Sequence, residues 1–117
     1  MRHKKKGKKF KRKRDQRKSL LRNLAINFIL KEKIKTSKEK AKETSRFVER
    51  LITLAKKDDL PSYRLIISRL GNNKEAAKKL KEISQRYKER NGGYTRVLKL
   101  GKFRKGNGAE IALLEFV

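Results

Sequence analysis

The 117-residue chain predicts an α+β domain preceded by a basic arm, and three features carry that prediction. Between Gln16 and Tyr87, apolar residues recur three to four positions apart in four separate stretches, the period of helices with one buried face. After Asn91-Gly92-Gly93 the pattern changes to two runs rich in strand-forming residues. The first 18 residues hold 12 basic side chains and one acid, Asp15, with only Met1 and Phe10 as large apolar groups. The expected architecture is a small mixed sheet of about three strands covered by about four helices. Residues 1–15 form an extended basic arm, and residues 16–117 a single domain.

The elements follow in chain order. The first helix starts at Gln16 and runs to about Glu32, with Leu20, Leu21, Leu24, Ala25, Phe28 and Ile29 on one stripe. Lys33-Ile34-Lys35-Thr36 is short and alternating, a brief strand or extended link. Thr36-Ser37-Lys38-Glu39 has the form of a capping box, a hydroxyl followed three residues later by Glu. A second helix then places Ala41, Val48, Leu51, Ile52 and Ala55 on one face and ends before Asp58. Pro61 suits the first turn of a third, short helix, with Tyr63, Ile66, Ile67 and Leu70 inward. Gly71-Asn72-Asn73 stops it, and Asn73 caps a fourth helix carrying Ala76, Ala77, Leu80, Ile83 and Tyr87. Tyr94 to about Lys102 reads as a strand and Lys102–Gly108 as a loop. Ala109–Val117 is a second strand of the same hairpin, nearly all apolar and so central in its sheet.

Charge sets the class of partner. The formal net charge is +25, from 37 Lys and Arg against 12 Asp and Glu. Self-repulsion at that density opposes a compact state unless a polyanion supplies counter-charge. Nucleic acid is the leading candidate, an anionic membrane surface the weaker one. No apolar run approaches the roughly 20 residues a spanning helix needs, and no apolar segment follows the N-terminal cations as in a secretory signal. The arm has nothing to bury, so it is disordered alone and threads along phosphates when a polyanion is present. Beyond the first 18 residues the remaining 99 still carry +14, so the domain itself faces anions.

Catalytic chemistry has few candidates. There is no cysteine, and the one histidine, His3, lies in the arm, which leaves no Cys/His metal cluster and no His-based triad. Most acids neighbour lysines, as in Lys31-Glu32-Lys33 and Lys38-Glu39-Lys40, and read as surface charge. Glu110 and Glu115 are five apart, so a regular strand turns them to opposite faces. No phosphate-binding loop or dinucleotide fingerprint occurs, and no cofactor is expected.

The candidate RNA contacts are therefore cationic. In the arm they are Arg2, His3, Lys4, Lys5, Lys6, Lys8, Lys9, Lys11, Arg12 and Arg14, and on the first helix Arg17, Lys18 and Arg22, which fall off its apolar stripe. In Asn91-Gly92-Gly93-Tyr94-Thr95-Arg96, Gly92 and Gly93 permit close backbone approach to a phosphate or another chain. Tyr94 is either a stacking residue for a base or ribose or a half-buried strand residue beyond a helix stop. Arg96, beside Arg90, suits a phosphate. Lys102, Arg104 and Lys105 make the hairpin loop a second contact.

Several of these segments resemble the bacterial large-subunit ribosomal protein L-seventeen family. Met1-Arg2-His3 with Gly7, Lys9 and Arg12 looks like its opening, and Arg17-Lys18-Ser19-Leu20-Leu21-Arg22-Asn23-Leu24 its first-helix motif. Ile34-Lys35-Thr36-Ser37 through Lys40-Ala41-Lys42-Glu43 resembles its strand-to-helix entry, and Leu51-Ile52-Thr53-Leu54-Ala55-Lys56 its second helix. Arg90 to Leu100 is the most specific match, and Ala112 to Val117 is similar to its closing strand. The chain departs from the pattern at Gln16, where the family usually has His, and at Phe10, where it has Leu. In the loop Lys105-Gly106-Asn107-Gly108, the family typically reads Arg-Gly-Asp-Ala. Loss of that acid makes the loop more cationic and puts in doubt any contact made through the carboxylate.

The resemblance implies a cytoplasmic, non-catalytic protein of the ribosome. It would bind large-subunit rRNA on the solvent side near the peptide exit, as a monomer beside other large-subunit proteins. It also adds Asn23 to the candidate contacts. Two rival readings share some of these features. A DNA-compacting protein would share the charge, but no helix-turn-helix, dimer heptad or apolar intercalating arm is recognisable. An RNA nuclease would need clustered acids or several histidines, which the sequence lacks.

Overall fold

The computed structural model describes residues 14–106 and 108–117. Residues 1–13 of the proposed arm, which hold the candidate contacts from Arg2 to Arg12, lie outside the described residues, as does Asn107. Helix α1 spans Arg14–Lys31 and strand β1 Lys33–Ser37. Helices α2, α3 and α4 follow over Lys38–Ala55, Leu60–Arg69 and Lys74–Ser84, and a single 3-10 turn covers Gln85–Tyr87. Strands β2 (Thr95–Phe103) and β3 (Glu110–Phe116) complete the α+β fold.

The sheet order is β1-β3-β2, so the most apolar strand is central, as its composition predicts. Both pairings are antiparallel, which corrects the expected mixed sheet. Helices α2 to α4 carry the chain from β1 at one edge of the sheet to β2 at the other. The helices lie against one face. α2 packs on all three strands, α1 on α2, α4 and β1, and α3 on α2 and α4. Ala112 and Leu114 of β3 point into this layer, while Ile111 and Leu113 stay half-exposed on the other face. The core joins Ala25, Phe28 and Ile29 of α1 to the predicted apolar faces of α2 and α4, and Phe28 stacks on Phe116 at 4.2 Å between centroids. Leu20, Leu21 and Leu24, on the same predicted stripe, remain only half-buried.

Three local expectations change. Arg14 and Asp15 lie in α1 rather than in the arm. The cap of α2 is Ser37, whose hydroxyl accepts from the Lys40 amide at 3.4 Å, and not Thr36, which is buried in β1. β2 extends through Phe103, one residue into the predicted loop, after a register break between Lys99 and Lys102. Pro61 and Asn73 stand as read, and the structure adds Asp59 as the cap of α3. Asp59 accepts from the Ser62 amide at 2.8 Å with Pro61 in the first turn of α3. Asn73 accepts from the Ala76 amide at 2.9 Å to start α4.

Candidate nucleic-acid interface

α1 carries its basic residues along one flank. Arg14, Lys18 and Arg22 are spaced by four, so they share a side of the helix. Lys18 and Arg22 meet Arg69 and Ser68 of α3 around a groove whose apolar part is Leu21 and Phe47. Three cations and no acid line it. Gly71 positions one of them. A Cβ at residue 71 would come within 2.9 Å of both Cδ and Nε of Arg22, and the glycine has φ +64°. The bare backbone at the α3 stop thus makes room for the Arg22 stem, whose guanidinium also donates to the Ser19 hydroxyl at 3.4 Å. Arg17 is half-buried and Asn23 exposed on the same helix. Sequence spacing places Lys18 and Arg22 together but offers no signal for Phe47, Ser68 or Arg69, which arrive from two other helices.

The stretch after α4 has a different character from the one expected. Tyr94 is 1% exposed. Its ring packs 5.3 Å from Tyr87, and its hydroxyl lies 3.4 Å from Thr53 Oγ1 and accepts from Lys56 Nζ at 3.0 Å. A stacking role for Tyr94 on RNA is therefore corrected: the ring is part of the core. Thr95 is held equally firmly. Its amide and hydroxyl both donate to Glu49, at 3.0 and 2.8 Å, and its hydroxyl lies 2.7 Å from that of Ser45. Ser45, Glu49 and Thr53 of α2 form one polar ridge with its C-cap residue Lys56, which also donates to the Arg90 carbonyl. Burial pushes the Tyr94 phenol up, but the hydrogen bonds from Thr53 and Lys56 outweigh it and leave the group below its ordinary value.

What this anchoring leaves outside is the loop itself. Arg90, Asn91, Gly92 and Gly93 are all exposed, and no atom comes within 4 Å of a Cβ built on either glycine. Gly93 has φ +65°, which explains the residue by backbone geometry, and the open space keeps close approach of a phosphate available. Arg46 and Arg50 of α2 line the same cleft as Asn91 and Gly92, an addition that the sequence does not signal. Arg96 is not free: its Nε donates to Glu115 at 2.6 Å across the sheet. A phosphate there must compete with a carboxylate.

Lys102, Arg104 and Lys105 are exposed at the end of the β2–β3 hairpin, and among the described residues none of them pairs with a carboxylate. Glu110 bonds instead to Lys38 at 3.4 Å, on the helix side, while Glu115 serves Arg96 on the open side, as their odd spacing predicts. Among the described residues no cluster of three His, Cys, Asp or Glu side chains is placed to hold a metal, and no helix is long and apolar enough to cross a membrane.

Residues 20–117 match the family described as "Ribosomal protein L17". The chain belongs to the ribosomal protein L17 family. It is 52% identical over 118 residues to "Large ribosomal subunit protein bL17" of Persephonella marina, a comparison that spans 100% of this chain and 95% of the relative. The protein of the same name from a Sulfurihydrogenibium species is 51% identical, over 100% of this chain and 97% of the relative. That of Natranaerobius thermophilus is 51% identical, over 94% and 96%. The ribosomal protein L17 family model covers every described element from residue 20 onward, so the α2 ridge and the 90–96 loop both lie inside it.

Proposed function

We propose that this chain is a structural constituent of the large ribosomal subunit and holds folded rRNA by charge neutralisation and shape. The observation that carries the reading is likeness over the whole chain to proteins named for that subunit. The net charge of +25 and the cations gathered on α1, the 90–93 loop and the hairpin tip support the RNA part of it. Contacts of this kind position RNA and recognise its outline. Side chains do not enter the deep, narrow major groove of A-form RNA, so base readout there is not the mechanism. The cations of the arm contact phosphates along the RNA. The α1 groove with Lys18, Arg22 and Arg69 and the cleft with Arg50 and Gly92 take further phosphates. Placement on the solvent side near the peptide exit, beside other ribosomal proteins and as a monomer, is part of the same proposal. It assigns no catalytic step.

Sedimentation of tagged protein with ribosomal subunits tests it. The chain is expected in the large-subunit fraction at low salt and is expected to bind protein-free large-subunit rRNA more tightly than duplex DNA of equal length. Equal affinity for the two would overturn recognition by rRNA shape.

A further inference from the structure

The β2–β3 hairpin turns one aromatic ring into solvent. Phe103 is 62% exposed, the most exposed of the large apolar side chains among the described residues. A lone exposed apolar residue is ordinary; its neighbours are what set this one apart. Lys102 precedes it, Arg104 and Lys105 follow it, and all three are exposed. The carboxylate across the ladder, Glu110, is already paired with Lys38. The ring also stands on a firm base. The Arg104 amide donates to the Ala109 carbonyl at 2.8 Å and the Gly108 amide to the Arg104 carbonyl at 3.1 Å. Below it, Gly101 at φ +70° sits in the register break that re-aims the end of β2.

An apolar protein surface would cover the ring only by desolvating the cations around it. A polyanion with flat π-faces suits both the ring and its neighbours. We propose that Phe103 stacks on an unpaired RNA base while Lys102, Arg104 and Lys105 hold the phosphates on either side of it. This rests on the rRNA-binding reading and adds to it a base-stacking point beside the phosphate contacts named above.

The test uses the full chain and protein-free large-subunit rRNA, with affinity measured at several salt concentrations. Phe103→Ala is expected to weaken binding by about 5- to 150-fold, the range for losing one base–aromatic stack. The log–log salt slope should stay unchanged, because a stack releases no counterion. Phe103→Tyr should bind within about twofold of the unaltered chain. Phe103→Leu, which keeps apolar surface but no π-face, should fall with the Ala variant. Melting temperatures should match throughout, since the side chain is exposed. Unaltered affinity of Phe103→Ala, or full rescue by Leu, would overturn stacking while leaving the rRNA reading intact. So would normal binding of Phe103→Ala to naked rRNA combined with its loss from assembled subunits, which would assign the ring to a protein neighbour. If the unaltered chain itself fails to bind rRNA, both readings fall.

Discussion

Glu32 shows how much one side chain can hold. It sits just beyond α1 with φ 66°, and its carboxylate takes a two-pronged bond from Arg86, at 2.8 and 3.0 Å, and a contact from Lys79 at 3.1 Å. These ties join the exit of α1 to α4 and the turn after it. The hydrogen bonds from Arg86 and Lys79 hold the carboxyl at about 2, against an ordinary value of 4.5. A pKa depressed in the folded state adds stability above the unfolded value and loses it as pH falls toward the folded one. Glu32→Gln should therefore be less stable than the unaltered chain at pH 7, and the difference should shrink between about pH 4.5 and pH 2. Urea midpoints at both pH values check this; a gap that persists at pH 2 would show that the ion pairs are not its source. Tyr94 is the second case at this scale. Tyr94→Ala should cost about 3–5 kcal/mol, as for other buried aromatics, and Tyr94→Phe about 0.5–1.5 kcal/mol for the lost hydroxyl bonds. Denaturant titration measures both. RNA affinity of folded Tyr94→Phe should be unchanged, since the ring faces the core.

At the scale of elements, the helix stop at Gly71 links stability to the proposed interface. Gly71→Ala places a Cβ against Arg22 and forces an L-residue into the left-handed region, at a cost of about 1–2 kcal/mol. It should also weaken rRNA binding by displacing the guanidinium. Arg22→Ala should weaken binding to a similar degree while leaving the melting temperature nearly unchanged. Melting curves and filter binding on the two variants separate the effects; if Gly71→Ala binds normally, Arg22 does not need the glycine to reach its phosphate. The helical faces of α2 and α4 and the order of elements were legible in the sequence, because periodicity is a local property. The cap of α2 was not. Thr36 and Ser37 are adjacent hydroxyls, and which one ends the strand depends on the pairing of Thr36 with Ala112 and Ser37 with Ile111.

At the scale of the molecule, binding should track charge. If about 10 cations meet phosphate, the log–log salt slope on rRNA should be on the order of −7 to −9. Replacing Arg2, Lys4, Lys5, Lys6, Lys8 and Lys9 together by Ala should flatten it and lower affinity while leaving the melting temperature unchanged. A fall in thermal stability would mean that the arm contributes to the core. Lys105→Ala should flatten the slope by about one unit. Arg96→Ala should flatten it less, because Glu115 already neutralises that guanidinium. A slope near zero with tight binding would mean that apolar burial dominates.

The sequence by itself determined the fold class, the charge-driven class of partner and the family, because composition, periodicity and ordered motifs survive without a third dimension. The tertiary structure decided what the most specific motif does. Read along the chain, Tyr94 is either a ligand or a strand residue, but Thr53 and Lys56 close on it while Ser45 and Glu49 hold Thr95, and the pair become the anchor of the loop rather than its contact. It also gathered Lys18, Arg22, Phe47 and Arg69 from three helices into one groove and left Phe103 outside the core. Burial and convergence depend on residues far apart in sequence, and no local pattern encodes which of two similar aromatics the packing will cover.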